Sequence, residues 1–396
     1  MRIISIVFCL VLFSCTKKNN TLYLTKQIND SPLMTKVNSD FQVIDVDCAI
    51  KVDMNFIISK LASILYVPLK STELIGAINK AIIYDEKIYI LDAYITERLF
   101  IFDKQGSLLN IIDNKGEGPN EYAALSGMCI DPDRKEICIN DRMSISKLYY
   151  DLDGNFLRKE KSIPSFYINI FNHHIVNQLA VNQSFNKEIN YHLICTIKDS
   201  IYSKGFPYVP IQKNYVVSSD ATFNSMGDLL FIPVLSDTVY KIESFEKYSV
   251  RYVVKHKHSI WDKKEEEFSY KEVGDLIKNN GYTALGMFYE TQRYVYFSIK
   301  RGLRNFVIEN YFLFDKEKIQ VYELEETNMK IFKEIVPPNL IALDKETFVA
   351  SFDAFRLKEL LAKDNNGYVI QNNQLNTIIE KSDESSNPVL VMYELK

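Results

Sequence analysis

The sequence predicts an all-β protein, a β-propeller of four-stranded antiparallel blades with short helical insertions, and two observations predict it. The first is self-similarity at a fixed spacing. AIIYDEKIYILD (81–92) aligns without gaps on CIDPDRKEICIN (129–140) at an offset of 48 residues, and LFIFDKQG (99–106) falls on KLYYDLDG (147–154) at that same offset. The matches pair Ile82 with Ile130, Tyr89 with Ile137, Leu91 with Ile139, Asp92 with Asn140, Phe102 with Tyr150, Asp103 with Asp151 and Gly106 with Gly154. A fixed period of this length marks a repeat architecture. The second observation is the content of each unit: strand, turn, strand, loop, strand, Asp-x-x-Gly turn, strand, which is a four-stranded meander. Such a unit is too small to bury its own faces and packs radially on its neighbours. No alternation of strand and helix supplies the crossovers that a parallel sheet needs.

Later units follow the same plan with less fidelity. GDLLFIPVLSDTVYKIE (227–243) gives two strands around Ser236-Asp237. RYVYFSIK (293–300) with NYFLFDKEKIQVYEL (310–324) repeats the aromatic strand that ends in Phe-Asp-Lys. The last unit runs from NLIALDKETFVASF (339–352) to PVLVMYEL (388–395), and a further blade must occupy the region around 165–215, where the offset fails. Two helices are expected as insertions. One is capped by Asp262, runs to about Asn279 and is stopped by Gly281; the other covers Asp353–Lys363, with apolar residues at helical spacing. Residues 41–396 leave room for six or seven blades.

Composition narrows the partners. The chain has 396 residues, 47% of them hydrophobic, 13% aromatic and 25% charged, which is enough apolar material for a large core. Lysine and arginine number 47 against 51 acids with no long block of either sign, so nothing favours a polyanion and nucleic acid is not an expected partner.

The N-terminus carries an address. Arg2 precedes an apolar run from Ile3 to Leu12, too short to span a bilayer of roughly 30 Å. Leu12-Phe13-Ser14-Cys15 then sets a small residue before a cysteine and resembles the lipobox of bacterial lipoprotein signals. That resemblance implies removal of residues 1–14, acylation of Cys15, a polar tether over 15–40 and membrane attachment through the N-terminal lipid. Thr16 in place of an aspartate points by the same resemblance to the outer membrane of the cell envelope.

A broader likeness follows from the repeats. NKGEGPNEYAALSGMCIDPDRKEICINDRMSISKLYYDLDGNFL (114–157) and RLFIFD (98–103) resemble the NHL-type repeat. With the lipobox, SDTVYKI (236–242), VPPN (336–339) and the ending NPVLVMYELK (387–396), the whole chain resembles the six-bladed β-propeller lipoproteins of Gram-negative envelopes. The resemblance implies six blades in a single domain over 41–396. It implies little about activity, because propellers host unrelated functions.

Two classes of function are expected. In the preferred one the protein is a binding or assembly module for an envelope protein, peptide or glycan, with no cofactor identified. In the alternative it resembles propeller lactonases and lyases, with a divalent cation or carboxylates at the channel mouth. Asp92, Asn140 and Asp141 end strands in successive blades and are the candidate ligands, although such residues also serve turn backbone groups. No later blade clearly repeats the acid. His256 and His258 alternate on one strand and can reach a common metal or solvent, His173 and His174 point to opposite faces of a strand, and His192 stands alone. No Cys/His pattern has zinc spacing. Cys129 and Cys138 flank a hairpin turn and are expected opposite each other, as two thiols or as a disulfide.

KGEGPNEY (115–122) is the remaining motif. A phosphate cradle would lead into a helix, but a strand follows here and Pro119 removes a donor. The loop reads as a corner in which Gly116 and Gly118 permit unusual backbone angles, Pro119 stiffens the crossing and Tyr122 docks between blades. A carboxylate rim built on Glu117 and Glu121 is the other reading.

Overall fold

The computed structural model describes residues 24–179, 189–197, 200–214, 221–303, 306–325, 331–332, 335–363, 369–370 and 372–396. Cys15, the leader 1–14 and the first part of the expected tether lie outside the described residues.

Six four-stranded antiparallel blades form a ring. Blade 1 spans residues 80–112, blade 2 125–161, blade 3 167–207, blade 4 222–255 and blade 5 284–324. Blade 6 is composite: Leu340–Asp344, Thr347–Phe352 and Val389–Leu395 are completed on the outside by Leu61–Pro68 from the N-terminal part of the chain. The ring thus closes by strand pairing between distant segments. Its interior is held by apolar and aromatic layers between neighbouring blades, such as Tyr89, Leu91, Leu99 and Ile101 of blade 1 against Met128, Ile137, Ile139 and Tyr150 of blade 2. A two-residue repeat of side-chain direction puts alternate residues of each strand on opposite faces, so every blade feeds two such layers.

The segment before Leu61 is a belt. Thr35–Lys36 and Gln42–Asp45 run parallel to the outer strand Lys247–Lys255 of blade 4, and Ile50–Val52 runs parallel to Gln320–Leu324 of blade 5. Leu33 bridges to Lys204 on blade 3, and Ile28, in a helix over residues 24–30, is fully buried beside Ile163 and Ile194. Residues 24–40, expected as part of the tether, therefore pack along the rim and cover strand edges that would otherwise be unpaired.

The period of 48 conceals a local shift. In blade 1 the first hairpin turns through two residues, Asp85 and Glu86, both at positive φ, with Tyr84 opposite Lys87. In blade 2 Asp131 pairs with Glu136 across four residues, and a bulge follows at Asn140/Asp141. The second strands thus correspond at an offset of 49, and Asp92 corresponds to Asp141 rather than to Asn140. The third strands, Arg98–Asp103 and Ser146–Asp151, return to 48.

Helices also differ from expectation. The helix expected from Asp262 begins at Tyr270, because Ser269 and Glu272 form a reciprocal capping box there; residues 260–263 make a short 3-10 turn. The helix Ala354–Lys363 stands as expected, with Asp353 accepting from the Arg356 N–H. Helices Met54–Lys60 and Asn373–Lys381 are additional.

The first strands of all blades run in one direction around the channel, which sorts the loops. First hairpin turns gather on one face, here called lower. Blade-to-blade crossings and the turns between second and third strands gather on the upper face. KGEGPNEY, helix Tyr270–Asn279 and the helices Ala354–Lys363 and Asn373–Lys381 consequently share the upper face.

Candidate functional site: the central channel

The inner strands of all six blades line a central cavity of about 930 Å³. That volume is typical of a small-molecule or short-oligomer site. Its wall is mixed. Ile82, Ile130, Met287 and Ile341 supply aliphatic surface, and Tyr84, Phe171, Phe223 and Tyr289 supply aromatic surface. Phe171 and Phe223 come from neighbouring blades, with ring centroids 6.5 Å apart, and Phe223 keeps 37% of its surface accessible. Both rings line the cavity, so Phe223 leaves apolar surface open to the channel.

Charge in the channel is sparse: among the lining residues it is limited to Lys80, Lys300, Asp133 and the His173 ring. At the upper mouth Lys300 pairs with Glu309 at 3.5 Å, and at the lower mouth the His173 ring faces the Asp133 carboxylate at 2.9 Å. Asn169 donates from Nδ2 to the Ala221 carbonyl and Thr222 from Oγ1 to the Phe288 carbonyl, so these polar walls tie blade to blade.

The sequence-predicted candidates lie elsewhere. Asp92 is fully buried and accepts from the backbone N–H groups of Gly76, Ala77, Ile95 and Thr96 and from the Thr96 hydroxyl. Asp141 accepts from Ala123, Ala124, Met143 and Ser144 backbone N–H groups and from the Ser144 hydroxyl. Burial pushes each carboxyl up, yet the hydrogen bonds outweigh it and hold both below the ordinary aspartate range. Asn140 is buried between blades 2 and 3, donating to Ser126 Oγ at 2.8 Å and to the Ser165 carbonyl at 2.7 Å. All three are committed to turns or to interblade bonds and none lines the channel.

In KGEGPNEY, Glu121 folds back to accept from the Gly118 N–H at 2.7 Å. A Cβ on Gly116 would lie 2.0 Å from its Oε2. Neither glycine is at positive φ. Their smallness makes room for the Glu121 carboxylate, which replaces the backbone-angle reason expected from sequence. Tyr122 is fully buried in the layer between blades 1 and 2 and donates to the Glu97 carbonyl. Glu117 has no comparable role.

The histidines separate. His192 is buried against Tyr208 and Gln212, and burial pushes it down to about 4. His256 is buried beside Thr283, while His258 sits at positive φ in the following turn, so they do not share a site. Cys129 and Cys138 are direct cross-strand partners and are free thiols. Among the described residues no group of three His, Cys, Asp or Glu could hold a metal ion, and no helix is long and apolar enough to cross a membrane.

Two features were not found from sequence. Glu290 ends the inner strand of blade 5 fully buried, bonded to Arg251, Tyr252, Asn224 and Lys316. No local pattern marks it, because its partners come from three separate segments. The Phe171–Phe223 wall was hidden in a chain where aromatic residues recur inside most strands.

Six four-stranded blades around a lined channel define a six-bladed β-propeller. The chain belongs to the DUF4934 family, a domain of unknown function, whose profile matches residues 41–394. Its fold is similar to that of a candidate exported protein from Bacteroides fragilis, at 17% identity and a TM-score of 0.71, covering 90% of this chain and 100% of that one. It is also similar to a member of the DUF4221 family from Bacteroides vulgatus, at 13% identity and a TM-score of 0.53, covering 85% and 97%. At these identities the likeness shows the fold alone. No curated protein matches the sequence.

Proposed function

We propose that this protein is a binding module of the bacterial cell envelope, held to the outer membrane by acylation of Cys15, with its ligand seated in the central channel. The lipobox at residues 12–15 supports the anchor, and in this reading the blades are of the NHL type and the leader ends at residue 14. The observation that carries the binding role is the channel wall: about 930 Å³, aromatic and aliphatic, with few charges, of which Lys300 pairs with Glu309 and the His173 ring faces Asp133. A wall of that chemistry suits an uncharged ligand with apolar faces, and a short peptide or a glycan stretch fits both the volume and the stacking surface of Phe171 and Phe223.

The test uses the full chain and a panel of envelope-type oligosaccharides and short neutral peptides. A ligand that binds only the folded state raises the melting temperature by mass action. The shift is expected for the wild type and not for Phe223→Ala. A shift that survives Phe223→Ala at full size would remove the channel from the account. The anchor is tested separately: Cys15→Ser is expected to leave the membrane fraction or to remain unprocessed, and membrane retention of a trimmed Cys15→Ser chain would refute it.

A further inference from the structure

The layer between blades 2 and 3 is built unlike the one before it. On the face of blade 1 turned toward blade 2 stand Ile82, Tyr89, Leu91, Leu99 and Ile101, all in one apolar cluster. With the strand correspondence established above, the same posts in blade 2 are held by Cys129, Cys138, Asn140, Lys147 and Tyr149. Registers confirm that these share one face: Cys138 lies opposite both Cys129 and Tyr149, and Asn140 lies opposite Lys147. Every one of them is buried. Two thiols, an amide and an amine thus stand where packing alone would select aliphatic and aromatic groups, since unneeded polar atoms in a core are costly.

The thiols face each other: Cys129 and Cys138 are direct cross-strand partners, and Cys129 also lines the channel. Burial pushes the Cys129 thiol well above its ordinary value, and the charges of Lys80 and Lys147 work against that push. Lys147, whose ammonium donates to Ser162 Oγ, is diagonal to Cys138 on the adjoining strand. Directly opposed strand residues have Cβ atoms about 4.5–5.5 Å apart, whereas a disulfide prefers about 3.5–4.5 Å. A bond between these sulfurs is reachable after a small approach of the strands. The other two described cysteines offer no such geometry, for Cys48 is exposed and Cys195 is buried in blade 3 beside Ser203.

We propose that Cys129 and Cys138 form a reversible dithiol/disulfide couple, reached through the channel by a small-molecule disulfide, with Lys147 favouring the attacking thiolate. Cys129, as thiolate, attacks one sulfur of the disulfide R–S–S–R, forming a mixed disulfide and expelling one RS⁻. Cys138 then gives up its proton and attacks the Cys129 sulfur, expelling the second RS⁻. The net change oxidises two protein thiols to one disulfide and reduces R–S–S–R to two RSH, the two protein protons passing to the departing thiolates. Both cysteines lie in a hairpin whose inner strand forms the channel wall, so the oxidised pair would draw that wall toward the second strand of blade 2.

The experiment treats the folded full chain with oxidised glutathione, blocks remaining thiols after denaturation, and maps the peptides by non-reducing mass spectrometry. The expected product has lost two hydrogens and links Cys129 to Cys138, reduced glutathione restores both thiols without unfolding, and Lys147→Met forms the bond at least several-fold more slowly. Recovery of both residues as blockable thiols, or of a glutathione adduct on Cys129 that never resolves into the internal bond, would overturn the proposal. Equal rates for the wild type and Lys147→Met would overturn the part given to the lysine. Because the readout is on the wild-type chain, a cysteine variant that fails to fold does not affect it, and loss of ligand binding elsewhere in the channel leaves it untouched.

Discussion

Asp92 and Asp141 hold the same post in adjacent blades, each ending a second strand and gathering four backbone N–H groups and one hydroxyl onto a single buried carboxylate. Each fastens the turn after its own strand to the segment entering its blade, so the repeated acid is a fastener for the upper face. Ile95 and Met143 sit at the tips of these two turns and are 65% and 70% exposed, a second surface against which the channel account can be tested.

Acid should loosen these fasteners. The carboxyls of Asp92, Asp141 and Glu290 are all held below their ordinary values: burial raises each, and hydrogen bonds outweigh it, joined at Glu290 by the Lys316 charge. A depressed folded-state value means the stabilisation is present above the unfolded value, near 4, and is lost as pH falls through the folded value. The melting temperature is therefore expected to fall steeply as pH drops below about 4, and Asp141→Asn is expected to lie below the wild type at pH 7 and to show a shallower fall. A variant whose acid profile matches the wild type would show that Asp141 is not one of the titrating groups.

The corner loop separates packing from chemistry. Tyr122→Ala removes a fully buried ring between blades 1 and 2 and should cost about 3–5 kcal/mol. Gly116→Ala should destabilise by driving the Glu121 carboxylate from its place, whereas Glu117→Gln should leave the melting temperature unchanged. Thermal unfolding of the three variants checks the order. A stable Gly116→Ala protein would mean that Glu121 can move without loss.

Ring closure depends on the N-terminal strand of blade 6. Removing residues 24–52 strips the belt from blades 3, 4 and 5 but leaves Leu61–Pro68 paired with Val389–Leu395, so the propeller should remain folded and become prone to association through its bared edges. Removing residues 24–68 also deletes the closing strand and should abolish cooperative unfolding. Calorimetry and sedimentation distinguish the two outcomes, and equal stability of both truncations would contradict the closure described above.

Much of the fold was legible because blade packing writes a local signal. Alternating apolar residues and Asp-x-x-Gly turns mark strands and hairpins, and Phe102, Tyr150, Gly106 and Gly154 recur at the period. The belt was not legible: its strands are two to four residues long and are stabilised by partners more than 200 residues away. The one-residue shift between Asp92 and Asn140 is invisible in the sequence because a longer turn and a bulge in blade 2 hide within a constant period. The channel was the least legible part. Phe171 and Phe223 are brought together by the curvature of the ring, and their spacing in sequence carries no trace of it.

The central claim is that the channel is the binding seat, and the most direct measurement is the dissociation constant of one bound peptide or glycan for the wild type, Phe223→Ala and the double variant Ile95→Ala/Met143→Ala. Loss of a stacking aromatic at a binding hot spot costs more than about 1 kcal/mol, so Phe223→Ala is expected to weaken binding by roughly fivefold or more. The double variant should bind as the wild type does. Full affinity in Phe223→Ala together with loss in Ile95→Ala/Met143→Ala would place the ligand on the upper-face turns and contradict the account.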